Sequence, residues 1–161
     1  MIVVLDNTVL SNFAQSQISS VIFMLWGDQV CTTPDVISEY HAGIKSAGLP
    51  AFAWKSLQIQ KLSSAEIEFA DSLSAKLGKG ECSCLAIAHS RNTILATDDL
   101  FARRVADRYH IQKIGTVGIL IQCVKQKILS VPKAQKALNV MMNYGYRSPI
   151  TDLKSFFLDH T

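Results

Sequence analysis

The sequence predicts an α/β domain: a mostly parallel sheet of about five strands with helices on both faces. Three observations predict it. Short continuous runs of apolar, largely β-branched residues occur at Ile2-Val3-Val4-Leu5 and Thr93-Ile94-Leu95-Ala96-Thr97, the composition of strands covered on both faces. Helix-length segments separate the strand-like runs, which implies right-handed crossovers and parallel pairing. The 161 residues, 48% apolar with mean hydropathy +0.19, suffice for one core and fall short of two.

In chain order, Ile2–Leu5 is a central strand that ends at Asp6. Thr8–Ala14 reads as helical, and the apolar stretch Ile18–Trp26, closed by Gly27, as a second buried helix. Gln29–Thr32 is a short strand. Thr33 can cap the next helix, with Pro34 at its first position and Asp35 favourable to the dipole; this helix is expected to run to about Ala42. Leu57–Leu62 alternates like a strand, Ser63 or Ser64 starts a helix carrying Ile67, Ala70, Leu73 and Leu77, and Gly78-Lys79-Gly80 breaks it. Glu81 opens a helix to about Ser90. After the strand Thr93–Thr97 come a helix with Leu100, Val105 and Ala106, a short strand around Ile111–Ile114, a helix from Gly115 onward, and a helix from Pro132 to about Asn143. The tail Thr151–Thr161 is amphipathic. With no repeat or linker, the expectation is one domain over 1–161, with 130–161 a C-terminal helical extension.

Composition excludes several classes. No apolar stretch reaches a membrane span of roughly 18 to 20 residues, and Met1–Asp6 lacks the basic start of a signal peptide; a cytoplasmic protein without membrane association is expected. Cys31, Cys82, Cys84 and Cys123 sit in apolar stretches and read as small core residues. Cys82 and Cys84, two apart on a helix, diverge, and no Cys-x-x-Cys or His pair completes a zinc set. The net charge of +3 permits a polyanionic partner. Positive charge also tracks the acids: Lys76 and Lys79 precede Glu81, and Arg103, Arg104 and Arg108 follow Asp98-Asp99, although each also fits a solvated helix face.

The acids carry the chemistry. Asp6 and Asp98-Asp99 directly follow strand runs, and in open α/β sheets ligands lie beyond the carboxyl ends of the strands. Glu81 is followed by Leu85 and Ala88 at i+4 and i+7, which places it on a core-facing stripe. Glu39 flanks the apolar stripe of Val36 and Tyr40. Each has a plainer account: Asp6 and Asp98-Asp99 as helix caps, Glu81 as a partner of the helix dipole, Glu39 as a solvated acid. Those accounts are independent, whereas one cation explains all of them, because clustered carboxylates at the lip of a core repel unless a metal joins them. Oxygen donors without His or Cys indicate Mg²⁺ or Mn²⁺, and such ions serve phosphoryl chemistry on a phosphodiester or phosphate ester.

Val4-Leu5-Asp6-Asn7-Thr8-Val9-Leu10 resembles the opening strand and turn of PIN-domain nucleases, usually Asp-Thr-Asn/Ser-x-Leu. Pro34 through Glu39 resembles the family's Pro-x-x-x-x-Glu helix. Gly80-Glu81 before Cys84-Leu85-Ala86-Ile87-Ala88 resembles its acidic helix start, and Leu95-Ala96-Thr97-Asp98-Asp99 its strand ending in Thr-x-Asp. The likeness covers roughly Ile2 to Leu120, and Gly115-Thr116-Val117-Gly118-Ile119-Leu120 is similar to one uncharacterised prokaryotic PIN branch.

The resemblance implies a Rossmann-like sheet and a Mg²⁺- or Mn²⁺-dependent ribonuclease, often the VapC-type toxin of a toxin-antitoxin pair, often a homodimer with an antitoxin partner. It implies catalytic and metal-binding roles for Asp6, Glu39, Glu81 and Asp99, with Asp98 a neighbour that binds a second metal or caps the helix. Asn7-Thr8 reverses the common order, so Thr8 is carried over only as a candidate water-orienting hydroxyl. Lys79, Arg103, Arg104 and Arg147 are candidates for RNA phosphates, and Tyr144 and Tyr146 either stack bases or pack against the tail. The principal rival is a catalytically inactive PIN-like module that binds RNA or protein. A response-regulator receiver would need its acidic pair near the first strand, and an aspartyl-phosphate phosphatase an Asp-x-Asp where Thr8 stands two residues beyond Asp6.

Overall fold

The five-stranded sheet has the order β3-β2-β1-β4-β5: β1 is Val3–Leu5, β2 Val30–Thr32, β3 Gln58–Ile59, β4 Ile94–Ala96 and β5 Lys113–Ile114. Every pairing is parallel. The computed structural model describes residues 1–51, 53–73 and 75–159. β1 and β4 fall where the apolar runs placed them, because each run is short, continuous and bounded by a polar or capping residue. β1 is 0% exposed along its length, so both of its faces are covered.

Between the strands lie α1 Asn7–Gln15, α2 Ser20–Trp26, α3 Pro34–Ala47, α4 Ser64–Ser72, α5 Lys79–Arg91, α6 Leu100–Arg108, α7 Thr116–Lys125, α8 Val131–Asn143 and α9 Leu153–Asp159. Helices α3, α4 and α6 each pack on α5, α7 packs on α2 and α8, and α1 touches both α3 and α8. The core joins β1 and β4 to Phe13, Ile22, Tyr40, Leu85, Ile119, Leu138 and Met141. Helix α8 buries Ala134, Ala137, Leu138 and Met141, so the C-terminal helices are built onto the core. Among the described residues no helix is long and apolar enough to cross a membrane.

Several boundaries differ from the sequence expectation. Helix α3 continues to Ala47 and ends at Gly48, whose φ of +66° gives a left-handed cap with its N–H on the Gly43 carbonyl. Helix α4 stops at Ser72 although Leu73 and Leu77 continue the apolar spacing; the turn that follows still buries Leu77. The Leu57–Leu62 strand contracts to the exposed pair Gln58–Ile59 at the sheet edge. Helix α5 begins at Lys79, so Gly80 lies inside the helix that the Gly-Lys-Gly run was expected to precede.

The chain grows from β1 outward through β2 and β3, then returns to the other side of β1 with β4. The direction of growth therefore reverses between β1 and β4, and there the loops that follow the two strands diverge and leave a crevice. Asp6 follows β1 and Asp98-Asp99 follow β4 within two or three residues, which puts all three at that switch point.

Candidate active site

Asp6 is 1% exposed, and each of its carboxylate oxygens accepts a threonine hydroxyl. Thr8 Oγ1 donates to Oδ1 at 2.6 Å and Thr97 Oγ1 donates to Oδ2; the Val9 amide adds a bond to Oδ1 at 3.2 Å. Both hydroxyls also accept from the acidic pair's backbone, Asp98 N–H reaching Thr8 Oγ1 at 3.1 Å and Asp99 N–H reaching Thr97 Oγ1 at 3.1 Å. The result is a double bridge from one buried carboxylate to two successive amides. Burial nevertheless outweighs these donors and pushes the Asp6 carboxyl up to about 7, with Asp98 nearby adding to the rise.

Glu39 and Glu81 meet at the start of α5. The Gly80 amide donates to Glu39 Oε1 at 2.9 Å, and a Cβ at position 80 would lie 2.6 Å from Glu39 Oε2 and 2.9 Å from its carboxyl carbon. Only glycine lets the Glu39 carboxylate sit against this helical turn. Glu81, the third residue of α5, reaches back to the Gly78 amide, as an acid in a first turn does. Its carboxyl is raised by partial burial and then by the negative charges of Asp99 and Glu39. That like-charge coupling joins Glu39, Glu81 and Asp99 in one acidic neighbourhood.

Asp99 and Asp98 have different jobs. Asp99 Oδ1 caps α6 by accepting the Ala102 amide at 2.6 Å. Asp98, weighed from sequence as that cap, instead holds the start of α7: its Oδ1 accepts the Thr116 amide at 2.8 Å and its Oδ2 the Thr116 hydroxyl, supplying the cap that Gly115 lacks. Asn12 Nδ2 adds a bond to Asp98 Oδ2 at 3.2 Å and Tyr146 Oη one to Oδ1 at 3.1 Å. Asp98 thereby ties α1, α7 and the segment after α8 to the end of β4, and its oxygens are saturated with donors.

Sequence reasoning missed Thr97, Asn12, Thr116 and Gly80 as working residues. Asn12 carried a legible signal: it sits between Val9 and Phe13 on the buried face of α1 and is itself 7% exposed, and a buried amide needs partners. Thr97 carried none beyond its place in the Thr-x-Asp motif.

No Lys or Arg forms an ion pair with these acids among the described residues; the two ion pairs there are Arg91–Glu66 and Lys113–Asp107. The hydrogen-bond partners of these carboxylates among the described residues are therefore hydroxyls and amides. One oxygen each of Glu39, Glu81 and Asp99 is committed to a backbone amide, and among the described residues the second receives no hydrogen bond. That set of hard, mutually repelling oxygens suits Mg²⁺ or Mn²⁺. Among the described residues no three His, Cys, Asp or Glu side chains stand as a ready-made metal cluster; the acids are coupled in pairs, Glu81 with Asp99, Glu81 with Glu39, and Asp6 with Asp98.

The basic candidates separate. Lys79 is exposed and borders a hollow with Asp35, Asp71 and Leu77. Arg104 is exposed on α6. Arg103 is half-buried, with a guanidinium N–H on the Thr97 carbonyl at 2.9 Å. Arg147 and Tyr144 border a groove of about 590 Å³ with Thr8, Asn12, Asp98 and Asp99. Tyr146 packs inward onto Asp98, and its phenol is raised by burial and by that carboxylate.

The fold is an all-parallel α/β sheet with acidic residues at its switch point, none of them ion-paired to a Lys or Arg among the described residues. Comparison with protein families agrees: a family model described as PIN domain matches residues 2–157, and the chain belongs to the PIN-domain family. PIN domains are generally nucleases acting on phosphodiesters and generally use divalent metal ions. No curated protein and no solved structure matches the chain.

Proposed function

We propose that this protein is a Mg²⁺- or Mn²⁺-dependent ribonuclease in which Asp6, Glu39, Glu81 and Asp99 hold the ion. The observation that carries the proposal is the coupling of Glu81 with Glu39 and Asp99, each with one oxygen beyond its backbone bond, near the switch point where Asp6 ends β1, with no described Lys or Arg ion-paired to them. A bound divalent ion supplies an acidified water and a counter-charge for the phosphoryl oxygens. The protein's own groups position the acids. Thr8 and Thr97 fix both oxygens of Asp6 and the amides of Asp98 and Asp99, and Gly80 admits Glu39 to the turn that carries Glu81. Thr8 spends its proton on Asp6, so it acts as a positioning residue, with a lone pair left toward the groove. Asp98, saturated by other donors, holds the scaffold and leaves ligation to Asp99.

The same reading extends to a cytoplasmic VapC-like toxin that acts as a homodimer and is silenced by an antitoxin protein; the family membership supports it, and growth arrest on expression, relieved by a small neighbouring gene product, tests it. The activity itself is tested by incubating single-stranded RNA with Mn²⁺ and either the parent or Asp6→Asn. Cleavage by the parent alone supports the proposal. Equal cleavage by both, or none by either, removes the catalytic claim.

A further inference from the structure

A second groove lies beside the acidic one. It encloses about 630 Å³ and is lined by Leu100, Arg103, Ile114, Val117, Tyr146 and Arg147. It shares Asp98, Leu100, Tyr146 and Arg147 with the acidic groove, so those residues form a ridge between the two. The chemistry changes across the ridge. The acidic side holds Asp98 and Asp99 with Arg147 as its cation, whereas the second groove carries Arg103, Lys113 and Arg147 over a floor of Ile114, Val117 and Pro149. The carboxylate of Asp98 there is already occupied by Thr116, Asn12 and Tyr146, and Lys113 is taken up by Asp107. Arg103 and Arg147 remain for an anion.

Arg103 is held in advance. One guanidinium nitrogen donates to the Thr97 carbonyl at 2.9 Å, and a Cβ on Gly115 would lie 3.3 Å from that nitrogen and 2.9 Å from Asp98 Oδ1. The absent side chain at 115 therefore lets the guanidinium sit in the loop between β5 and α7, one residue from the bridge that orders the acids. A guanidinium anchored through one nitrogen keeps other N–H donors for a phosphate and loses little entropy in binding it. On the ridge, Leu100 is 70% exposed and Tyr144, on the acidic side, 63% exposed. Exposed apolar and aromatic side chains at a polar rim suit unstacked nucleobases.

We infer that the second groove is a subsite for a nucleotide flanking the scissile phosphate, in which Arg103 and Arg147 bind the phosphate, the Ile114–Val117 floor takes the base, and Leu100 separates it from its neighbour. The inference rests on the ribonuclease reading. It puts the flanking phosphate on the cationic side of the ridge and leaves the acidic side to the cation and the reacting phosphate, which avoids direct repulsion between substrate and carboxylates. The substrate class that fits is single-stranded RNA, because a duplex keeps its bases stacked and unavailable to the floor.

The test compares two variants with the same change in charge, Arg147→Glu on the ridge and Lys133→Glu on the exposed first turn of α8, at the opposite end of that helix from Tyr144, with Arg103→Gln beside them. A fluorescein-labelled eight-nucleotide single-stranded RNA is titrated in EDTA at several salt concentrations, and Mn²⁺-dependent cleavage is measured in parallel. Arg147→Glu and Arg103→Gln are expected to weaken binding about tenfold and lower the salt slope by about one contact each, raising KM for cleavage more than they lower kcat. Lys133→Glu should stay within about twofold of the parent, as a charge remote from the contact should. Equal weakening by Arg147→Glu and Lys133→Glu, or parental affinity in Arg147→Glu while the parent still cleaves RNA, overturns the subsite and leaves the ribonuclease reading standing. If the parent neither binds nor cleaves the RNA, both readings fall.

Discussion

The hydroxyl of Thr97 donates its proton to the buried carboxylate of Asp6 while its lone pair accepts the Asp99 amide. Thr8 repeats the arrangement on the other oxygen, between Asp6 and the Asp98 amide. One carboxylate, two hydroxyls and two amides thus set the spacing between the ends of β1 and β4.

Thr97→Val removes this bridge with little change in volume. It strips one donor from a buried carboxylate and leaves the Asp99 amide without its acceptor, a loss of about 1 to 3 kcal/mol. Urea unfolding in EDTA reads the stability. Mn²⁺ titration is expected to show weakened binding as well, a loss that a purely structural hydroxyl would not cause once the variant is folded.

The pH response of Asp6 has a definite sign. Its folded pKa of about 7 lies above the ordinary 3.8, so the metal-free fold is favoured relative to the unfolded chain at low pH and loses that advantage as pH rises through about 7. Asp6→Asn never ionises. In EDTA the variant's melting temperature should exceed the parent's at pH 8, with the difference shrinking toward pH 4; saturating Mn²⁺ should raise the parent at pH 8 and leave the variant unmoved.

Glu66 behaves in the opposite way. Arg91 grips it with Nε at 2.7 Å and a second nitrogen at 2.8 Å, and the Ser63 amide adds a bond at 2.8 Å. Arg91 above all holds the carboxyl down at about 2, below the ordinary 4.5. The stabilisation is present above about pH 4.5 and fades as pH falls toward 2. Glu66→Gln is expected to cost about 2 to 3 kcal/mol at pH 7 and much less at pH 3, by urea unfolding, with cleavage by the folded variant unchanged.

Asp98 and Asp99 should separate in a paired experiment. Asp98→Asn sets an NH2 against the donors on one oxygen, either the Thr116 N–H and Tyr146 hydroxyl or the Asn12 amide and Thr116 hydroxyl, so it should lower stability by about 1 to 3 kcal/mol. Asp99→Asn keeps a good helix cap and should melt within a few degrees of the parent while losing Mn²⁺-dependent cleavage at least about a hundredfold. Reversed effects would exchange the roles of the two acids.

Most of the fold was legible because the buried strands are unusually plain. Val3–Leu5 and Ile94–Ala96 are apolar throughout, and each stops at a residue that caps a helix or begins the acidic turn. Edge and boundary details were not legible, for physical reasons. Gln58–Ile59 pairs on one side and is exposed, so its residues record little of the sheet. The end of α3 is set by Gly48 and its left-handed cap, downstream of the last strong periodic residue. The acids of the crevice could be picked out because each broke an apolar pattern. Their partners could not, since Thr8, Thr97 and Thr116 are ordinary residues until tertiary contacts give their hydroxyls carboxylates to serve. The Asp98–Tyr146 bond spans 48 positions, and no local spacing encodes it.

The central claim is that Glu81, with Asp6, Glu39 and Asp99, grips a divalent cation. Calorimetric titration of Mn²⁺ into the parent and into Glu81→Gln, with melting curves for both in EDTA, tests it most directly. Saturable binding by the parent, at least about tenfold weaker in the variant at an unchanged metal-free melting temperature, is the result expected. Equal affinity in the two proteins, or no binding by the folded parent, would contradict it.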